Sequence, residues 1–345
     1  PVLADLDVER ARARAEQFGI GKACTPEELL ADPDIEVVLN LTIPAAHALV
    51  AEAALRHGKH VYNEKPLALD REAGRRLLEL AEARGLRLGC APDTFLGAGL
   101  QTARKAVDDG LIGRPVAFTG LMLGRGPERF HPDPAFFYQP GGGPMFDMGP
   151  YYLTALLNLL GPVRRITGAA SIAIPERVVA TGPKQGERIP VATPDHVCGL
   201  LEFENGAVGT LVTSFAIAHG DYDREHPITL YGTEGALKVP DPNHFDGDVW
   251  VRRIEDEEWR PVPHAFPTGY GRSVGLADLA DAVRNDRPHR ASGRQGLAVL
   301  DLMQGFLDAS AVGAACTPIA AYERPAPLRP DAPFGDLEPL TVLAD

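Results

Sequence analysis

Cysteine is scarce: four in 345 residues, at positions 24, 90, 198 and 316. They lie far apart with no paired spacing, which excludes a disulfide framework and points to reduced thiols in a cytoplasmic protein. Positive charge is also in deficit, with 34 Lys and Arg against 47 Asp and Glu, a net charge of −13. Nucleic acid or an anionic membrane surface as the main partner would need a basic face, so both are disfavoured. No apolar run reaches the roughly 18 residues that span a bilayer, and no signal peptide opens the chain. The histidines show no H-E-x-x-H or H-x-x-x-H spacing, so no metal site is expected. There is no G-x-S-x-G elbow, no P-loop and no internal repeat.

What remains is an ordinary globular composition, 45% apolar and 23% charged, over a length that suggests two domains. The first ninety residues alternate strand and helix signals. "DVERARARAEQFG" has helical spacing, with Asp7 as N-cap and Gly19 as the stop. "TPEELL" carries a capping box, Thr25 to Glu28. "IEVVLNLT", "KHVYNE" and "LRLGCA" read as strands covered on both faces, separated by helices. This βαβ series predicts a Rossmann-type α/β domain over 1–93. From residue 94 to 345 strands dominate, with hairpin signals such as Asn205-Gly206. That region reads as an α+β domain on a large, mostly antiparallel open sheet.

The chain starts on Pro1, and "PVLAD" already looks like the end of a strand. The first Rossmann strand and its glycine-rich loop are therefore expected before Pro1. Asp5 would then be the acid that binds the adenosine ribose, and no Arg follows at once to hold a 2′-phosphate, which favours NAD over NADP. As plain structure, Asp5 ends a strand.

"NLTIPAAH" follows a strand, so Leu41, Thr42, Pro44 and His47 would border a ligand at the sheet's carboxyl edge. As plain structure it is a helix start. "NEKP" follows the next strand and puts Glu64 and Lys65 at the same edge, with Pro66 restricting the lysine's backbone. Beside an oxidised nicotinamide, such a lysine meets positive charge and partial desolvation, the influences that bring an amine to acid–base duty. The commoner fate of a lysine is the surface. In "GGGPMFDMGPYY", Asp147 and Tyr151 are four apart, on one face of a helix with Pro150 in its first turn. A carboxylate and a phenol so placed can bind a hydroxyl and relay its proton; the plain alternative is an N-cap and a core aromatic.

Together these segments resemble the Gfo/Idh/MocA family, the glucose-fructose oxidoreductase and inositol dehydrogenase group. "GKHVYNEKPLA" is similar to its G-K-H-V-x-x-E-K-P segment, and "GGGPMFDMGPYY" to its G-G-G-x-x-x-D-x-G-x-H helix except at the last position. "TLYGTEGALKV" and "RASGRQGLAVLDLM" resemble its later strand and last helix. The resemblance implies a catalytic Lys65, an active-site Asp147 and a ribose-binding Asp5. It also implies cofactor contacts at Thr42, Pro44, His47 and Glu64, and, more loosely, at Asp93. Tyr151 stands where the family usually has His, and a phenol, titrating near 10 when unperturbed, is the poorer base at neutral pH. His131, Tyr138 and His196 are candidate substrate contacts.

The implied function is NAD-dependent transfer of hydride at a secondary hydroxyl of a sugar, polyol or glycoside. The implied assembly is a dimer or tetramer through the second domain's sheet. The competing expectation is a cofactor-binding sensor or scaffold of the same fold with little or no turnover.

Overall fold

The computed structural model describes residues 1–330. Strand β1 (Leu3–Ala4) leads into α1 (Val8–Gln17), where the Asp7 carboxylate accepts from the N–H groups of Glu9 and Arg10. β2 (Ala23–Cys24) precedes α2 (Pro26–Ala31), which opens on the full Thr25–Glu28 capping box. β3 (Val37–Asn40), α3 (His47–Arg56), β4 (His60–Asn63), α4 (Arg71–Ala83) and β5 (Leu88–Cys90) complete the unit. All pairings are parallel, in two pieces: β1 with β2, and β3 with β4 and β5. In a doubly wound sheet the strand joining these pieces is the first one, and no strand of residues 1–330 takes that place.

The second unit begins with α5 (Ala98–Asp108), β6 (Pro115–Leu123), α6 (Gly143–Asp147), α7 (Gly149–Leu160) and β7 (Val163–Ser171). Strands β8 (Glu176–Val178) and β9 (Arg188–Pro190) make a small separate hairpin. β10 (His196–Phe203), β11 (Val208–Ser214), β12 (Ile228–Gly232), β13 (Gly235–Val239), β14 (Val249–Arg253) and β15 (Arg260–Val262) follow, then α8 (Val274–Arg284) and α9 (Gly293–Val312). Eight strands form one sheet in the order β15-β14-β13-β12-β6-β11-β10-β7, and only the β6–β11 pairing is parallel.

One face of that sheet, with Val197, Leu201, Phe203 and Leu211, is buried in a core shared with Leu153, Leu157 and Phe306. Alternation leaves Cys198, Leu200, Val208, Thr210 and Val212 on the opposite face, half-buried or exposed. Helix α9 packs on β7 and α7 and also on α4 and β5, so it ties the two units together. Arg71 of α4 pairs with Asp301 and Asp308 of α9 across the same joint.

Candidate active site

Strands β3 and β4 end on the same residue type in register, Asn40 opposite Asn63. Both side chains are buried, so their amides must find partners within the protein. Asn40 donates to the Asn63 side-chain carbonyl at 2.6 Å and to the His47 main-chain oxygen at 3.1 Å. Asn63 donates to the Leu67 oxygen at 3.0 Å. The Asn40 carbonyl accepts from the Thr42 hydroxyl at 2.7 Å. The ring nitrogens of His47 lie 2.7 Å from the Pro66 oxygen and 2.9 Å from the Thr42 oxygen. The loops after the two strands are thus laced to one another, and Lys65 leaves a fixed backbone. Beside Thr42, Leu41 and Ile43 are 65% and 70% exposed.

The Lys65 ammonium donates to the Asp147 carboxylate at 2.9 Å and to the Asp147 main-chain oxygen at 2.7 Å. The second bond exists because the helix breaks. The sequence predicts Asp147 and Tyr151 on one helix, whereas Asp147 ends α6 and Tyr151 belongs to α7. Pro150 has no N–H to continue α6, and the Tyr151 N–H turns to the Met148 oxygen at 3.1 Å. The Asp147 carbonyl, left without a helical donor, takes the lysine. Two glycines let the start of α6 sit deep. A Cβ on Gly142 would lie 2.6 Å from the Phe136 oxygen, and Gly143 has a φ of +80° against the Pro194 oxygen.

Tyr151 closes the cluster. Its ring centre is 5.3 Å from the Lys65 Nζ, and Arg272 approaches from the loop before α8. An Arg272 Nη1 lies 3.5 Å from the Tyr151 hydroxyl, while the other terminal nitrogen donates to Asn243 at 3.2 Å. Lysine, aspartate, tyrosine and arginine from four separate segments therefore meet at the carboxyl edge of β4.

Other candidate residues sit elsewhere. Asp5 ends β1 but is held by Arg10, whose hydrogen bond, with the Asp7 N–H, lowers its carboxyl to about 2. His47 is 1% exposed with both nitrogens engaged, so it braces the loops from behind and has no free atom for a cofactor. Asp93 is buried and accepts from the N–H groups of Ser273 and Gly275 at the start of α8, so it caps a helix. Burial pushes its carboxyl up, and those two N–H groups oppose this.

Tyr138 is fully buried and bonded to Glu128, so it cannot touch a substrate. His131 packs edge-on against Phe136 and Phe137. His196 opens β10, half-buried. Asn40, Asn63 and Arg272 carry no functional signal in the sequence. Only the repeated strand ending "VLN" and "VYN" could have marked the asparagines. Among the described residues no cluster of His, Cys, Asp and Glu could hold a metal.

Residues 2–91 match the family model of the oxidoreductase family with NAD-binding Rossmann fold, and residues 100–238 match the GFO/IDH/MocA C-terminal domain. The chain belongs to the Gfo/Idh/MocA oxidoreductase family. Among its relatives, an oxidoreductase of Rhizobium meliloti is 32% identical over 80% of this chain and 76% of its own. Levoglucosan dehydrogenase of Pseudarthrobacter phenanthrenivorans is 29% identical over 68% of this chain, a match that spans 63% of that enzyme. The 1,5-anhydro-D-fructose reductase of Ensifer adhaerens is 28% identical over 91% of this chain and 89% of its own.

Among solved structures, levoglucosan dehydrogenase in complex with NADH and levoglucosan superposes with a TM-score of 0.78 at 25% identity, covering 92% of this chain and 90% of that one. An NAD-binding oxidoreductase from Klebsiella pneumoniae has a TM-score of 0.80 at 24% identity and shares the fold. In this Gfo/Idh/MocA chain the residues present fit a dinucleotide. The ionised Asp5 ends one parallel strand, and the exposed Leu41 and Ile43 flank the Thr42 hydroxyl at the end of another.

Proposed function

We propose that this chain is an NAD-dependent dehydrogenase or reductase acting at a secondary hydroxyl or keto carbon of a sugar, polyol or glycoside. The observation that carries the reading is the meeting of Lys65, Asp147 and Tyr151 at the carboxyl edge of β4. Bound NAD would supply or accept the hydride. Asp5, paired with Arg10, would hold the adenosine ribose, and the NADH complex of the structurally similar levoglucosan dehydrogenase supports NAD before NADP. Leu41, Thr42, Pro44 and Glu64 would border the cofactor. Residues 1–93 would carry it, and residues from 94 onward would supply the substrate pocket.

Within the cluster, Tyr151 would exchange the proton of the substrate oxygen. The Lys65 ammonium, fixed by two bonds to Asp147, would hydrogen-bond that oxygen through its remaining N–H. Asp147 would pair with the lysine and aim it. The carbohydrate substrates named for levoglucosan dehydrogenase and 1,5-anhydro-D-fructose reductase support this substrate class. The test is nicotinamide absorbance with NAD or NADH and a panel of sugars, polyols and anhydrosugars. Turnover of at least one, lost in Lys65→Ala, is expected. NADH binding with no turnover across the panel would support the sensor or scaffold alternative instead.

The open sheet face offers Leu121, Leu200, Val208, Val212 and Tyr231 in one register-matched band. A band of that kind supports a homodimer or homotetramer built through this sheet. The four unpaired cysteines support a reducing, cytoplasmic setting. No helix of the described residues is long and apolar enough to cross a membrane.

A further inference from the structure

A phenol can serve as the acid–base group only if the protein stabilises the phenolate that forms when it gives up its proton. Two cations approach Tyr151. The Lys65 Nζ is 5.3 Å from the ring centre, but two of its three N–H groups go to Asp147, whose carboxylate balances its charge. Arg272 is placed differently. It is exposed, and its hydrogen bonds go to the neutral side chains of Asn243 and Tyr151. No carboxylate of the described residues forms an ion pair with it. A guanidinium has no acceptor atom, so the Tyr151 oxygen must accept from Arg272, which leaves the phenolic hydrogen free to point at a bound substrate.

We infer that Arg272 is a positioning residue for Tyr151: it orients the phenol by donating to its oxygen and stabilises the phenolate during proton exchange. This rests on the reading of Tyr151 as the acid–base group. In the reductive direction the Tyr151 O–H bond breaks and the substrate O–H bond forms. The negative charge then resides on the Tyr151 oxygen, where the Arg272 N–H already points. In the oxidative direction both changes reverse. The charged groups facing Tyr151 are Lys65 from the end of β4, Asp147 from α6 and Arg272 from the loop before α8. Asp93 lies behind Arg272, close enough to feel its charge, and is committed to the start of α8. Arg272 thus has no ion pair, and the carboxyl that feels its charge is already taken by two N–H groups.

The test has two arms on the full chain. The first needs no substrate: ultraviolet titration of tyrosine ionisation, taken as the difference between the parent protein and Tyr151→Phe, isolates the signal of position 151. In an Arg272→Ala background the same difference signal should appear at higher pH, and in Arg272→Lys between the two. Superimposed titrations for parent and Arg272→Ala would overturn the inference.

The second arm follows turnover of the best sugar or polyol from the panel, with NAD, across pH. Arg272→Ala should lose about tenfold to a hundredfold in kcat at neutral pH, with little change in KM. The loss should shrink as pH approaches about 10, where a free phenol ionises. In a Tyr151→Phe background, Arg272→Ala should cost nothing further. Full activity in Tyr151→Phe would remove the acid–base reading of Tyr151. A dead Tyr151→Phe beside an unaffected Arg272→Ala would remove only the role of Arg272.

Discussion

Two tyrosines in this molecule each lie under a cation at the same distance, and the charged groups around them are exposed to very different degrees. The Tyr138 ring is 5.3 Å from the Arg177 guanidinium, as the Tyr151 ring is from the Lys65 ammonium. Around Tyr138 every member is sealed: Arg177 is 4% exposed, Asp195 0% and Glu128 9%. Asp195 also accepts from the N–H groups of Ala173 and Ile174, so the cluster staples the segment before β8 to the start of β10. Burial first, and the Glu128 carboxylate next, drive the Tyr138 phenol up, out of reach of any proton exchange. Around Tyr151 the lysine and aspartate side chains are 17% and 24% exposed, and the arginine is exposed. Similar residue types make a fastener where the charged groups are shut away from solvent and a candidate reaction centre where solvent reaches them.

Crossed substitutions break this comparison most sharply. Removing one charge from the sealed cluster strands its partners, so Arg177→Ala should destabilise the fold by about 3–5 kcal/mol, read from urea unfolding. Lys65→Ala should leave that unfolding curve nearly in place and cut kcat by about 10²–10⁴-fold. Full turnover in a folded Lys65→Ala would sink the mechanism.

The tyrosines sharpen it at a smaller scale. Tyr138→Phe removes a buried hydroxyl and should cost about 1–3 kcal/mol of stability with kcat unchanged. Tyr151→Phe should reverse that pattern, keeping stability and losing turnover. If both variants move the same observable, the contrast fails.

Asn63→Ala lies between the two kinds of site. It leaves the Asn40 amide short of an acceptor and the Leu67 oxygen short of a donor, for about 1–3 kcal/mol in unfolding. Because that network sets the Lys65 backbone, kcat should fall with it.

The smallest effect belongs to Asp5. Its carboxyl is lowered to about 2 in the fold, so its pairing contributes above the ordinary carboxylate range and is lost as pH falls from about 4 through about 2. An exposed pair is screened by salt, so the change in an acid titration should be slight. Asp5→Ala should show instead in a raised KM for NAD.

Much of this is legible in the residues themselves. A charged pair at a strand end, Glu64-Lys65, and an acid after a glycine run, Asp147, break the local pattern and so announce themselves. Asn40 and Asn63 do not, because asparagine after an apolar run reads as an ordinary turn. Arg272 lies 121 residues from Tyr151 in sequence, and only the tertiary fold brings a loop to it. Tyr138 and His47 mislead for a related reason: polarity is visible in a sequence and solvent access is not. Pro150 is visible and does stand in a first turn, but of a helix that begins only after Asp147, so the break at Met148 stays hidden. That break divides one expected helix into α6 and α7.

The same break changes what mutation can reach. One of the two tethers on Lys65 is a main-chain oxygen, and no replacement at position 147 deletes it. Asp147→Ala strips the side chain and leaves the lysine moored at one point. The remaining mooring can be slipped only from three residues away. Pro150→Ala supplies an N–H for the Phe146 carbonyl, lets the helix run on, and returns the Tyr151 N–H from Met148 to the Asp147 carbonyl. A survey of position 147 alone would therefore underestimate how firmly the lysine is held.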